Sequence, residues 1–184
     1  MTRLGFMTAG VVAAAALMGG SALAQDAYRI GLNAELTGHA SSYGQHMRIA
    51  AEIARDRINE AGGINGHPIE FVVEDNKSSP EQAVIATRNL SRADVAAILG
   101  PVQSSQARTA FPATNREDVV SVSPGSGAPG LTASNRPWTF RNAAIDQVII
   151  DELVERMRER HPDTRTVALT VDPKDAYEKF LVTL

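Results

Sequence analysis

Residues 95–105 read VAAILGPVQSS. The apolar run Val95–Leu99 is too short for an ordinary helix and the right length for a strand buried on both faces. Gly100-Pro101 stops that run, Val102 and Gln103 follow, and Ser104-Ser105 lead into a helical stretch, QARTAFPATNRE. A strand that feeds a hydroxyl-bearing loop at a helix start is suited to holding an anion. First-turn N–H groups lack partners within the helix, the helix dipole is positive there, and the serines add donors. The same serines equally suit plain helix capping, and this stretch alone leaves both roles open.

Working outward, the strand–loop–helix unit recurs. Tyr28–Leu32 predicts a strand, followed by the small, polar loop Thr37–Ser42 and a helix from about Ser42 to Ala61. Ser42 and Gln45 have capping-box spacing. Tyr43, Met47, Ala50, Ala54, Ile58 and Ala61 form one stripe at helical period, so Tyr43 suits either core packing or a pocket wall. Gly62-Gly63 supplies the left-handed stop. Ile69–Glu74 predicts the second strand, and Ser79-Pro80-Glu81-Gln82 opens a second helix with a cap and a proline at the first helical position. The helix after the 95–105 stretch contains Pro112, which should kink or split it. Val119–Val122 predicts a fourth strand, which feeds SPGSGAPG at 123–130.

Strands alternating with long helices predict an α/β fold, a doubly wound parallel sheet covered on both faces. Ligands of such sheets sit beyond the carboxyl ends of the strands, where the loops 37–43, 101–105 and 123–127 gather. After Trp138–Arg141 the pattern restarts. Asp146–Arg160 reads as an amphipathic helix with Ile145, Ile149, Leu153 and Met157 on one stripe, 166–171 as a strand, and Tyr177 as the start of another helix. So short a tail cannot bury a core alone. The expectation is a first α/β ligand-binding lobe over 25–141 and the truncated beginning of a second α/β lobe over 142–184.

The amino terminus carries Arg3, an apolar run over 4–18 and the small residues Ala22-Leu23-Ala24, the pattern of a cleaved secretory signal peptide over 1–24. The apolar run is shorter than the roughly 20 residues a spanning helix needs. The chain has no cysteine, so no disulfide is possible. A net charge of −3 without basic blocks argues against nucleic acid and anionic membranes as partners, and 5% aromatic residues argues against stacking platforms.

Motifs for chemistry are weak. Gly125, Gly127 and Gly130 spell G-x-G-x-x-G after a strand, but Pro129 lies inside the motif and the first strand lacks it, which is the wrong context for a dinucleotide. His39, His46, His67 and His161 have no metal-site spacing. There is no G-x-S-x-G elbow and no HExxH, and Glu74 and Asp75 end a strand on opposite faces. No cofactor, metal or catalytic residue is expected.

The segments YRIGLNAELTGHASSYGQ, INEAGGINGHPIEFVVEDNKSSPEQAV, VAAILGPVQSS, SVSPGSGAPGLT and TVALTVDPKDAY resemble the periplasmic leucine/isoleucine/valine-binding proteins, type I substrate-binding components of ABC importers. The resemblance covers nearly all of the mature chain. It implies two α/β lobes that close over a ligand in the cleft between them, in proteins much longer than this one. It places ligand contacts at Tyr43 in the first loop, at Val102 and Ser104 after the third strand, and at Gly125 and Gly127 after the fourth. Tyr177 falls at the second-lobe tyrosine that closes over the ligand. Gln103, Ser105 and Ser126 complete the candidate set as their neighbours. Amino-acid-binding members commonly carry threonine where this chain has Gly127, which opens the ligand to another amino acid, an amide or a small organic acid.

The function implied is that of a periplasmic, monomeric solute-binding protein that hands a small polar ligand, an amino acid of branched-chain type or a related amide or organic acid, to a membrane permease. Two rivals share the fold: the sensing domain of a receptor or regulator, and an enzyme on a flavodoxin-like sheet, for which turnover sensitive to Ser104→Ala would be the sign.

Overall fold

The computed structural model describes residues 26–166 and 168. The expected signal peptide, most of the strand expected over 166–171, and Tyr177 lie outside them. The elements in order are β1 (Tyr28–Ala34), α1 (Ser41–Glu60), β2 (Ile69–Asp75), α2 (Pro80–Arg92), β3 (Ala97–Leu99), α3 (Ser104–Arg116), β4 (Val120–Ser123), a 3-10 turn (Ala133–Asn135), β5 (Thr139–Arg141) and α4 (Asp146–Arg160). All five strands are parallel, in the order β2-β1-β3-β4-β5. The chain moves one way through α1 and the other way through α2 and α3. Right-handed crossovers therefore place α1 on one face and α2 with α3 on the other.

The face under α2 and α3 is sealed by two apolar clusters. Leu90 of α2 packs with Val95, Ile98 and Val119, while Phe111 and Ala107 of α3 pack with Ala128 and Leu131. Ser79 caps α2, its hydroxyl accepting from the Gln82 N–H at 3.4 Å, with Pro80 next. Gly62 and Gly63 end α1 at φ +100° and +76°, as their left-handed role requires.

Three expectations need correction, and one strand is added. The stripe expected on α1 is rotated: its buried residues are Gly44, Met47 and Ala51, while Tyr43 is 57% exposed and Ile58 is exposed too. Gly44 sets that rotation, because a Cβ there would lie 2.4 Å from the Glu35 carbonyl oxygen. Only a bare residue lets the helix approach the end of β1 this closely. The capping box does not form: the N-cap is Ala40 with no side-chain bond, and Gln45 donates to the Leu36 carbonyl at 3.2 Å. Instead Ser78 supplies the missing acceptor, taking the Ala40 N–H at 3.1 Å. The helix α3 runs unbroken through Pro112, so the expected split does not occur. Thr139–Arg141 is a fifth strand of the first sheet, paired with β4.

The helix α4 has the expected bounds, yet none of its residues is buried against the described residues. Val148, Ile149 and Leu153 are 61%, 52% and 55% exposed. Among the described residues no helix is long and apolar enough to cross a membrane.

Candidate functional site

The strand order reverses between β1 and β3. Crossovers depart to opposite faces there, which in sheets of this kind is where ligands sit, beyond the carboxyl ends of the strands. Glu35 follows β1 directly and is fully buried. Its Oε1 accepts from the Val102 and Gln103 N–H groups at 3.2 Å each, and its Oε2 lies 3.3 Å from the Val102 nitrogen. Gln103 is the N-cap of α3. Two amides at the start of α3 are therefore taken by the chain's own acid. Burial pushes the Glu35 carboxyl above its ordinary value of about 4.5. The Gln103 and Val102 amides and the Asn76 side chain offset only part of that rise.

A buried amide pair supports this corner. Asn33 Nδ2 donates to the Ala83 carbonyl at 2.9 Å and to Thr87 Oγ1 at 3.1 Å, and Asn33 Oδ1 accepts from Asn76 Nδ2 at 3.0 Å. Asp75, at the end of β2, orders the first loop. It accepts from the Leu36 and Thr37 amides at 3.0 and 3.2 Å, the Lys77 amide at 2.8 Å and the Thr37 hydroxyl at 2.6 Å. Partial burial raises the Asp75 carboxyl, but these hydrogen bonds outweigh it and hold the group below its ordinary value.

On the other side, hydroxyls stitch the loops after β3 and β4 together. Ser121 donates to the Gly100 carbonyl at 2.9 Å and Ser123 to the Pro101 carbonyl at 2.6 Å. Ser126 is fully buried, and its hydroxyl reaches the Val102 carbonyl at 3.1 Å and Ser123 Oγ at 2.7 Å. Ser104 Oγ accepts from the Ala128 N–H at 3.2 Å, and a hydroxyl that accepts still has a proton to donate.

The candidate residues thus divide. Val102, Gln103, Ser104, Ser105, Gly125, Ser126 and Gly127 come together on two adjoining loops. Glu35 joins these loops to the end of β1, and Tyr43 lies in the first turn of α1, which packs there through Gly44. Ser104 is half-buried, whereas Ser126 is fully buried and ties the two loops together. The Val102 and Gln103 amides are already taken by Glu35. Neither serine is the N-cap of α3, which settles the capping alternative against them: the N-cap is Gln103, without a side-chain bond. Ser105 donates to Gln106 Oε1, and Gln103 Oε1 is buried with no hydrogen-bond partner among the described residues. Gly125 is packed so closely on Val102 that a Cβ would lie 2.8 Å from Val102 Cγ1. No α-helix opens at the glycine motif, since the loop passes to the 3-10 turn and β5. Among the described residues no cluster of His, Cys, Asp and Glu could hold a metal ion.

Sequence reasoning missed Glu35 and the Asn33–Asn76 pair. The available signal was polarity at the end of an apolar strand, NAE after YRIGL, where a parallel strand should stay buried.

The family model for periplasmic binding proteins matches residues 27–179. The chain is 31% identical over 161 residues to the leucine-, isoleucine-, valine-, threonine-, and alanine-binding protein of Pseudomonas aeruginosa, covering 88% of this chain and 43% of that one. It is 34% identical over 137 residues to an amino acid binding protein of the same organism, covering 73% and 36%. Among solved structures, the branched-chain amino acid transporter substrate binding protein LivJ of Streptococcus pneumoniae, in complex with isoleucine, matches with a TM-score of 0.76 and 29% identity over 86% of this chain and 45% of that one. The leucine binding protein LivK of Thermotoga maritima shares the fold, with a TM-score of 0.72 and 24% identity over 84% and 43%. The chain spans less than half the length of these relatives. With a five-stranded parallel sheet, helices on both faces and a family match along most of its length, this chain belongs to the periplasmic binding protein family.

Proposed function

We propose that the chain supplies the first lobe of an exported solute-binding protein that delivers a small amino acid, of branched-chain type, to an ABC importer. It acts by binding, as a monomer in the periplasm, and not by catalysis. The observation that carries this reading is Ser104: a half-buried hydroxyl at the start of α3, beyond the carboxyl end of β3, whose oxygen is anchored by the Ala128 N–H. The relatives' amino-acid ligands give the ligand class.

One lobe is not enough for tight binding. A charge-assisted hydrogen bond contributes roughly 1.5–3 kcal/mol net, and a helix dipole at most about 2. Glu35 already draws on the α3 dipole and on two amides. Micromolar affinity corresponds to about 8 kcal/mol. Closure by a second lobe, which α4 begins, supplies the remainder.

The test is calorimetry on the protein carrying both lobes, with leucine, isoleucine, valine, leucinamide and isovalerate. The expected result is micromolar binding of at least one of the three amino acids, weakened at least tenfold by Ser104→Ala. Absence of binding across the panel refutes the reading.

A further inference from the structure

Glu35 is a fully buried carboxyl at the end of β1, and the groups that hydrogen-bond to it are neutral. The Val102 and Gln103 amides reach its Oε1 from the start of α3. Asn76 meets it from the loop after β2, and Gly44 of α1 lies against its backbone. The charged groups of these elements are engaged elsewhere or exposed. Asp75 is held by the Leu36, Thr37 and Lys77 amides. Lys77, His39, His46, Glu81 and Arg108 are exposed, as is Arg48, which pairs with Glu52. Arg141 donates to the Ser126 and Ala128 carbonyls, and the Asp146 carboxylate lies against Gly127. Among the described residues no ion pair reaches Glu35. Ser104 follows Gln103 directly. With about 3.8 Å from one Cα to the next, an anion hydrogen-bonded to Ser104 lies on the order of 10 Å from the Glu35 carboxylate. That is about the Debye length at 0.1 M salt, and buried charges are screened much less than exposed ones.

We infer that Glu35 makes ligand binding proton-linked: its buried charge opposes a ligand carboxylate at Ser104, and a proton taken from solvent removes that opposition. The inference rests on the reading of Ser104 as the contact for the ligand's carboxylate. Both anions draw on one helix start. Glu35 has already taken two of its amides and part of its dipole, so a second negative charge arrives where the favourable field is partly used. A proton added at Oε2 keeps both Oε1 bonds and cancels the charge. Burial makes Glu35 hold its proton more tightly than an ordinary glutamic acid, and a ligand anion beside it tightens that hold further. The sign follows. Binding takes up a proton, and affinity for a carboxylate falls as pH rises through the Glu35 value.

The test uses the full-length protein and leucine, whose own carboxylate and ammonium both stay charged from pH 5 to 8. Calorimetry over that range is expected to show the dissociation constant rising at least threefold with pH. Paired buffers of different ionisation heat should show net proton uptake on binding. Glu35→Gln keeps the amide bonds without the charge, so its affinity should stay within twofold across the range, with no proton uptake. A role that is only structural predicts the same pH profile in both proteins. Carbon-13 NMR of the glutamate carboxyls in the unsubstituted protein needs no variant, and one buried glutamate should titrate at higher pH when leucine is added. A flat profile in the unsubstituted protein, a slope that survives in Glu35→Gln, or carboxyl titrations that leucine leaves unmoved overturns the inference alone. A protein that binds no leucine at any pH overturns the reading of Ser104, and the inference with it.

Discussion

Replacing Glu35 by alanine removes the acceptor that the Val102 and Gln103 amides share. A buried donor left unpaired costs about 1–3 kcal/mol, so two such donors cost about 2–6 kcal/mol. Domains of this kind are stable by about 5–15 kcal/mol, so the loss should be plain in a urea melt. Glu35→Gln separates hydrogen bonding from charge. Oε1 takes both amides at 3.2 Å, so a glutamine oxygen in its place keeps both bonds. The substitution should therefore cost little at acid pH. The sign of the pH effect follows from the raised carboxyl. Between the ordinary value of about 4.5 and the folded value, the native state binds more protons than the unfolded one, so stability falls as pH rises. This contribution is full below about 4.5 and is lost through the folded value. Each unit of displacement is worth about 1.4 kcal/mol. Glu35→Gln abolishes the slope, so its stability relative to the unsubstituted chain should climb with pH. Urea denaturation from pH 4 to 8 reads all three proteins. An alanine variant destabilised by less than about 1 kcal/mol, or a glutamine variant with the same pH slope as the parent, would refute the reasoning.

Other perturbations follow from the packing. Gly44→Ala forces a methyl to 2.4 Å from the Glu35 carbonyl; overpacking of about 1–3 kcal/mol should outweigh the roughly 1 kcal/mol that alanine gains in a helix, and a neutral or stabilised variant in denaturation would show that α1 does not lie so close. Leu90→Ala empties a fully buried position in the α2 core and should cost about 2–5 kcal/mol, read as a lower midpoint in thermal unfolding. Asp75→Asn acts on the acid side. The lowered Asp75 carboxyl contributes stability that is present above about 3.8 and lost as pH falls through the folded value, so the variant should lose less stability than its parent in acid titration followed by circular dichroism.

What the sequence made legible follows from how local the deciding physics is. The starts of β1 and β2, the Ser79-Pro80 helix opening, the Gly62-Gly63 stop and the bounds of α4 depend on residues within a turn of each other, and all stand in the structure, whereas the third strand, expected from Val95, begins only at Ala97. The alternation of strands and helices was enough to predict the parallel sheet. The face of α1 was misread because alanines and isoleucines surround that helix, leaving periodicity almost nothing to discriminate. Its orientation comes from a contact between Gly44 and Glu35, which lies outside the helix just after β1 and is invisible to helical spacing. The same reason hid the site's real organisation. Glu35 meets Val102 across 67 residues, Ser126 meets Val102 across 24, and Asp75 meets Leu36 across 39. Hydroxyls cannot be sorted into ligand contacts and internal ties by type. Ser104 and Ser126 look alike in the sequence, and the fold leaves one half-buried and buries the other fully as a tie.

The most direct test of the central claim is a structure of the full-length protein with leucine bound. The account predicts the ligand's carboxylate within hydrogen-bonding distance of Ser104 Oγ, beyond the carboxyl ends of β1, β3 and β4. Leucine seated instead in the hollow at the opposite ends of the strands, lined by Asp26, Arg29, Glu70 and Asp94, would contradict it.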